Sequence, residues 1–204
     1  DGEGHLWEAA IERSNLLQLK STFENPLIQV LRPQLRICLA VVVPKQGFDE
    51  FLRMGCEMGV DVFQPLTSEY RVQKGNDELR MNRWHNILKE AVEQSERLWM
   101  PELYSNIQIQ DWLSSQTEVP IAIATTRESN SIDFQSWLET CNKKNNQIWT
   151  LIGPEGGWSP FELDLAAQTG CVQTNLGDNI LRTSTAALAA SQLLVAWRRS
   201  NPFD

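Results

Sequence analysis

Three apolar runs constrain the fold of this chain more than any other feature. They span residues 36–43, 119–124 and 147–152, and apolar side chains continue through each run instead of alternating with polar ones. Strands buried on both faces have this composition, which is typical of parallel sheets covered by helices. Segments with helical spacing lie between and after the runs, at 47–58, 78–98, 132–141, 159–169 and 183–199. The sequence therefore predicts an α/β fold with a mostly parallel sheet.

Length and composition exclude several classes of protein. The chain has 204 residues, of which 42% are hydrophobic, so it can bury the full core of one α/β domain. It has no run of about 18 apolar residues, so we expect no membrane span. The four cysteines lack C-x-x-C spacing and local pairing. We therefore expect no metal site, no disulfide framework and a reducing compartment, with the cytoplasm as the default location.

A glycine-rich turn follows the third apolar run and leads into a helix. The sequence Gly-Pro-Glu-Gly-Gly occupies 153–157, and Ser159, Pro160 and Glu162 then match the N-cap, N1 and N3 positions of a capping box. The glycines allow positive φ angles and close approach of a ligand to the backbone. The turn lacks the lysine of a phosphate-binding loop and contains Glu155 instead. It therefore favours a ligand with hydroxyl groups or positive charge.

A second glycine turn, about twenty residues later, makes the pattern specific. It reads Leu-Gly-Asp-Asn-Ile-Leu-Arg-Thr-Ser-Thr-Ala at 176–186. Upstream, Glu-Met-Gly-Val stands at 57–60, and a predicted helix carries Arg-Trp at 83–84 and Gln-Ser-x-Arg at 94–97. In combination and order, these segments resemble the RsmE-type ribosomal RNA (uracil-N3) methyltransferases of the trefoil-knotted SPOUT superfamily.

The resemblance implies two domains. A SPOUT methyltransferase domain would occupy residues 34–204, with a C-terminal trefoil knot formed by the loops at 153–157 and 176–183. Residues 1–33 resemble the closing strands of the PUA-like β-barrel that precedes the catalytic domain in this family, so they would form a partial barrel. Three segments in that region look like short strands, and they are 5–12, 15–23 and 27–31.

The family also implies a homodimer that packs through the helix at 183–199. This helix has four small residues where another backbone could approach, namely Ala186, Ala187, Ala189 and Ala190. Packing within the chain's own core explains them equally well. The dimer is therefore an implication of the resemblance and not of the composition.

The implied reaction is transfer of the methyl group of S-adenosylmethionine to N3 of a uridine in small-subunit (16S) rRNA, either free or in the assembled subunit. Arg182, with Arg97, would polarise a uracil carbonyl and ease loss of the N3 proton. Residues matching the family's cofactor site are Thr125, Ile152, Gly153, Glu155, Gly156, Gly157, Leu176, Gly177, Ile180, Leu181, Thr183, Thr185 and Ala186. Residues expected to contact RNA are Arg71, Lys74, Arg83, Gln94 and Arg97.

Overall charge does not favour an RNA-binding protein. The chain has 18 Lys and Arg against 26 Asp and Glu, with a sequence pI of about 4.9. The basic residues between 71 and 97 would form a local RNA-binding strip. From charge alone, a solvated helix face with an ion pair between Glu93 and Arg97 is an equally good interpretation.

Three positions depart from the family pattern. Ser184 stands where many members have glutamate, while Asn179 and Met54 stand where a positive charge is common. Two alternatives to the uridine-N3 reaction also remain open. One is a SPOUT methyltransferase for another RNA position, which nucleoside analysis would identify. The other is a catalytically silent RNA-binding factor in ribosome assembly, which would have no reason to bind S-adenosylmethionine.

Overall fold

The chain begins with four short strands that form two antiparallel pairs. The computed structural model describes residues 1–13, 17–21, 24–70, 77–116, 118–126, 130–142 and 145–200. The first strands are β1 (His5–Leu6), β2 (Ala9–Arg13), β3 (Leu17–Ser21) and β4 (Ile28–Gln29). β1 pairs with β4, and β2 pairs with β3. The predicted strand at 5–12 is therefore two strands, with a break at Trp7 and Glu8.

The main sheet is parallel throughout its described pairings, which confirms the predicted α/β class. Its strands are β5 (Arg36–Val42), β6 (Val62–Thr67), β7 (Glu102–Leu103), β8 (Ile107–Gln108), β9 (Ile121–Ala124), β10 (Ile132–Asp133), β11 (Gln147–Ile152) and β12 (Val172–Asn175). Their order is β10-β12-β9-β11-β5-β6-β7, and β8 also pairs with β6. The three apolar runs form the adjacent strands β9, β11 and β5 at the centre of the sheet.

Helices cover both faces of the sheet. They are α1 (Phe48–Met58), α2 (Asp77–Gln94), α3 (Ile109–Ser115), α4 (Phe134–Thr140), α5 (Pro160–Gln168) and α6 (Thr183–Ser200). Alternate side chains of β5 point to opposite faces of the sheet. Leu39 packs in the core formed with α1, α2, α4 and α6, whereas Ala40 packs in the core formed with α3 and α5. No helix in the described part of the chain is long and apolar enough to cross a membrane.

Five strands of the main sheet, β6, β7, β8, β10 and β12, and one helix, α3, were not predicted. β6 contains Gln64 and Pro65, which interrupt the apolar pattern, yet Pro65 pairs with Val41 inside the sheet. A proline cannot donate to a ladder, so its presence argues against a central strand at the sequence level. β12 reads Val-Gln-Thr-Asn and has too few apolar residues to be recognised. α3 is only seven residues long, which leaves little periodicity to detect.

The helix predicted at 78–98 ends earlier, at Gln94. Glu96 has a φ of 56°, which a helix cannot contain. Arg97 therefore lies beyond the helix. Its guanidinium donates to the carbonyls of Cys56 and Val60 and to the buried carboxylate of Asp61.

Candidate active site

A pocket of about 520 Å³ opens where three adjacent parallel strands end. Its lining comes from residues 124–126 after β9, 152–158 after β11 and 175–181 after β12, with further side chains from α5 and α6. Crevices at the carboxyl ends of parallel strands are common ligand sites in α/β proteins, and this volume suits a small molecule or cofactor. We call this cavity the carboxyl-edge pocket.

The first glycine loop is held in place by contacts from two directions. The Thr183 hydroxyl donates to the Gly153 carbonyl at 2.9 Å, and the Trp158 indole N–H donates to the Ala124 carbonyl at 2.9 Å. A Cβ on Gly153 would lie 2.9 Å from the Trp158 ring, so this glycine is required by close packing. The loop thereby joins the ends of β9 and β11 to the start of α6.

The three glycines of this loop differ in backbone conformation and in surroundings. Of the three, only Gly157 has a positive φ, at 77°. Gly153 and Gly156 do not adopt the positive φ that a glycine allows. Gly156 also has room for a side chain, because a Cβ there would meet only the Cβ of Tyr70, at 3.9 Å. A Cβ at position 156 would therefore cause neither left-handed backbone strain nor a close contact within the chain.

The predicted capping box of α5 is confirmed. The Ser159 hydroxyl accepts from the Glu162 N–H at 3.2 Å, and the Glu162 carboxylate accepts from the Ser159 N–H at 2.9 Å. Glu162 is fully buried. Its second oxygen accepts from the backbone N–H of Glu69 at 2.9 Å, so the same carboxylate ties the segment after β6 to the first glycine loop.

The second glycine loop closes the other side of the pocket. Gly177 has a φ of 121°, a conformation that other residues rarely adopt. Leu176 and Leu181 pack against the core, while Ile180 is 61% exposed. The loop is therefore anchored by two leucines and presents its backbone to the pocket.

The charge of the lining favours a cationic ligand. Glu155 and Asp178 both line the pocket, and its described lining includes no Lys, Arg or His. Two carboxylates disfavour a phosphate group and complement a positive charge. The described residues contain no group of three or more His, Cys, Asp or Glu able to hold a metal ion.

Comparison with known proteins identifies the family. Residues 31–195 match the family described as RNA methyltransferase domain. The chain belongs to this family. It is 32% identical over 197 residues to the ribosomal RNA small subunit methyltransferase E of Synechocystis, a match that covers 93% of this chain and 62% of that protein. The Rickettsia conorii enzyme of the same name is also 32% identical, over 86% of this chain and 73% of the relative.

Solved structures agree with this assignment. Ribosomal RNA small subunit methyltransferase E from Neisseria gonorrhoeae, bound to S-adenosyl methionine, superposes with a TM-score of 0.79 and 25% identity. The match covers 98% of this chain and 80% of that one. The predicted resemblance to RsmE-type enzymes is confirmed. The chain spans less than two thirds of the length of the Synechocystis relative.

In this RNA methyltransferase domain, the structure brings the predicted cofactor residues together. All of them line the carboxyl-edge pocket except Thr185, which is exposed on the first turn of α6. Sequence reasoning missed several lining residues, which are Ala124, Thr126, Pro154, Trp158, Leu163, Asn175, Asp178 and Asn179. Most of them are immediate neighbours of matched residues, so extending each motif by one or two positions would have found them.

Of the two predicted catalytic arginines, only Arg182 lies near the pocket. It stands between Leu181 and Thr183, which both line the pocket, and its side chain is exposed. Its carbonyl accepts from the Ala186 N–H at 2.8 Å, so its backbone starts α6. Within the described part of the chain, Arg182 has no ion pair, which leaves the guanidinium available to a substrate.

Arg97 lies near the amino ends of the parallel strands, opposite the carboxyl ends at which the pocket opens. Its partners Val60 and Asp61 immediately precede β6, whereas the pocket lies where parallel strands end. The guanidinium is also occupied by two backbone carbonyls, at 2.6 and 2.8 Å. The structure therefore does not support the predicted catalytic and RNA contacts of Arg97, and assigns it a structural role. The alternative ion pair with Glu93 is not formed either, since Arg97 pairs with Asp61.

The remaining predicted RNA contacts are dispersed. Arg71 and Lys74 lie outside the described residues. Arg83 is exposed and pairs with Asp49 near the start of α1. Gln94 is exposed at the last residue of α2, about 16 Å along the helix from Arg83. The two residues therefore lie near opposite edges of the sheet.

Proposed function

We propose that this chain transfers the methyl group of S-adenosylmethionine to N3 of a uridine in small-subunit rRNA. The observation that carries the proposal is the carboxyl-edge pocket, which two glycine loops form at the family's motif positions. Membership of a family whose relatives are named ribosomal RNA small subunit methyltransferase E supports the RNA substrate.

The pocket fits the cofactor in size, backbone exposure and charge. S-adenosylmethionine supplies a methyl group carried on a positively charged sulfonium. The bare backbone of 152–157 and 176–181 would hold the nucleoside, because glycines permit close approach. Glu155 and Asp178 would complement the positive charges of the ligand.

Arg182 would act on the RNA base. N3 of uracil must lose its proton to water, and negative charge then spreads onto the neighbouring carbonyl oxygens. The N3–CH3 bond forms as the S–CH3 bond of the sulfonium breaks. A guanidinium donating to one of these oxygens stabilises that charge, and a single donor of this kind contributes about 100-fold or more to turnover. N3 is concealed in a paired base, so the target must be unpaired or flipped out. Positioning by the loops would supply much of the remaining rate enhancement.

We propose that the two glycine loops belong to a trefoil knot. Both loops line one pocket, Thr183 at the start of α6 bonds to Gly153 in the other loop, and α6 then packs against α1 and β5. The chain therefore runs from β12, through the second glycine loop, to a helix that packs on β5. This path is compatible with threading through the first glycine loop.

We also propose that residues 1–33 are part of a PUA-like barrel that precedes the methyltransferase domain at 34–204. The antiparallel pairs support a β-rich N-terminal unit. This unit docks on the segment after α2, where Gly4 N–H donates to the Leu98 carbonyl at 2.7 Å and Trp99 donates to the Val30 carbonyl at 2.9 Å. The family match begins at residue 31, close to the proposed boundary.

We propose a homodimer that packs through α6, on a face different from the one the alanines suggested. Ala187 and Ala190 are fully buried in the chain's own core, so they cannot contact a partner. The exposed positions of the helix are Thr185, Gln192, Ala196, Arg199 and its last residue, Ser200. The first four are separated by seven, four and three residues, so they lie on one face. The four free cysteines suit a reducing compartment such as the cytoplasm, which we propose as the site of action.

Nucleoside analysis tests the proposed function. The substrates are small-subunit rRNA and intact small subunits, both taken from cells that lack the gene. Each is incubated with the protein and S-adenosylmethionine. The RNA is then digested and its nucleosides are identified by mass spectrometry. We expect 3-methyluridine with the wild type and about 100-fold slower formation with Arg182→Ala. Arg53→Ala, an exposed arginine on α1 outside both the pocket and the proposed dimer face, is the matched control for the loss of an exposed arginine.

Other outcomes separate the alternatives. A methyl group on a ribose or on another base would favour a different RNA methyltransferase activity. Cofactor binding in calorimetry without any methyl transfer would contradict the proposed reaction. The absence of both cofactor binding and methyl transfer would favour the silent assembly factor.

A further inference from the structure

Three large apolar side chains are exposed on segments that line or adjoin the carboxyl-edge pocket. Ile180 belongs to the second glycine loop, Phe161 to the first turn of α5 and Tyr70 to the segment after β6. Their exposed fractions are 61%, 57% and 57%. Apolar groups grouped beside a pocket often mark a binding surface.

The backbone of Tyr70 is positioned next to the pocket by buried contacts. Its neighbour Glu69 donates its N–H to the buried carboxylate of Glu162 at 2.9 Å, and Ser68 is 1% exposed. The Tyr70 Cβ lies 3.9 Å from the point where a Cβ on Gly156 would be. An anchored backbone thus supports an exposed ring beside a residue that lines the pocket.

The glycine at 156 preserves the space in front of Tyr70. Neither a positive φ nor a close contact within the chain requires glycine at this position. A side chain on Gly156 would instead occupy the gap between the first glycine loop and Tyr70. This gap adjoins the pocket in which the methyl donor would be held, so it is placed to admit the methyl acceptor.

We propose that Tyr70 is the stacking platform for the target base of the RNA. The inference rests on the proposed function and extends it to the RNA side of the site. A base turned out of its helix has lost its stacking neighbours, and proteins that bind single-stranded RNA replace them with aromatic rings. The hydroxyl of tyrosine keeps one end of the ring compatible with water when no RNA is bound.

Stacking also suits the charge of this chain. A protein of formal net charge −8 gains little from long-range attraction to RNA. Stacking energy does not depend on counterion release. The contribution of Tyr70 should therefore be the same at low and high salt, unlike that of a basic residue.

The kinetic test compares substitutions at the chain's two tyrosines. Tyr70→Leu removes the ring and Tyr70→Phe keeps it. Tyr104→Leu is the matched control because Tyr104 directly follows β7 at the far end of the sheet order, where its hydroxyl donates to Glu102 of that strand. For Tyr70→Leu we expect KM for a small-subunit rRNA fragment to rise by about 5-fold to about 150-fold, the range for loss of one stacked base. Tyr70→Phe should restore KM. The dissociation constant for S-adenosylmethionine and the slope of log KM against log salt should not change.

Photocrosslinking supplies a readout that a purely structural role would not produce. The rRNA fragment is prepared with 5-iodouridine in place of uridine, irradiated with the protein, and the attached residue is identified by mass spectrometry. We expect a crosslink at Tyr70 that Tyr70→Leu abolishes and Tyr104→Leu retains.

The outcomes distinguish this inference from the proposed function. If the wild type methylates rRNA but Tyr70→Leu has unchanged KM, or if the crosslink maps only to Phe161, the role of Tyr70 is wrong and the function stands. If the wild type transfers no methyl group to uridine N3, both proposals are overturned.

Discussion

Replacing Arg97 with alanine should destabilise the fold without removing a catalytic group. Arg97 donates to the carbonyls of Cys56 and Val60 at 2.6 and 2.8 Å, and to the Asp61 carboxylate at 3.3 Å. The side chains of Arg97 and Asp61 are only 15% and 8% exposed. The substitution would leave these acceptors with fewer donors in a region that water reaches poorly.

The magnitude follows from the partners that remain. Removing one member of a buried ion pair typically costs about 3–5 kcal/mol, and one hydrogen bond to a charged group contributes about 1.5–3 kcal/mol. Asp61 keeps a bond from the Ile37 N–H and an ion pair with Arg198, which reduces the loss. We therefore expect the free energy of unfolding to fall by about 2–4 kcal/mol. For a domain of this size, that change lowers Tm by about 4–16 °C.

The assay pairs thermal unfolding, followed by circular dichroism, with methyl transfer measured well below both transitions. Arg97→Ala should have a lower Tm and a turnover close to that of the wild type. Arg182→Ala is the matched control: its exposed side chain should leave Tm unchanged, while turnover falls by about 100-fold. An Arg97→Ala protein that melts at the wild-type temperature but has lost turnover would refute the structural role and restore the catalytic one.

Three further predictions concern the glycine loop, the dimer and a thiol. Gly157 and Gly170 have φ angles of 77° and 80° with open space around both, so replacing either with alanine should cost about 1–2 kcal/mol of stability. Only Gly157→Ala should also weaken S-adenosylmethionine binding in calorimetry, because only Gly157 lines the pocket. Equal affinities of the two variants would contradict the pocket assignment. Ala196→Arg should yield monomers in light scattering, whereas Ala167→Arg, on the exposed face of α5, should not; a dimeric Ala196→Arg protein would exclude the α6 interface. Burial raises the pKa of Cys141 to about 11, so its alkylation rate should keep rising about tenfold per pH unit up to about pH 10. A rate that levels off by about pH 10 would show an ordinary thiol.

Features encoded within a single strand or helical turn were predictable from the sequence. The runs at 36–43, 119–124 and 147–152 could be recognised as the central strands, because strands with both faces buried contain few polar residues. The capping box at Ser159 and Glu162 was also predictable, since its groups lie three residues apart. Most of the pocket lining followed from motifs at the ends of strands.

Other features depended on which distant segments the fold brought together. The position of β6 was missed because Pro65 lowers local strand propensity, and only pairing with β5 overrides that preference. The reason for glycine at 153 is the Trp158 ring, which the backbone pattern alone does not reveal.

Arg97 shows the same limit at the level of function. A motif placed it beside Gln94 on a helix edge, but tertiary structure decided what its guanidinium contacts. Asp61 is 36 residues from Arg97 and 137 residues from Arg198 in the sequence, yet the three side chains meet at one edge of the sheet. Local sequence determines which conformations a segment prefers. The partner of a charged side chain is determined only when burial removes water as the alternative, and that condition exists only in the folded chain.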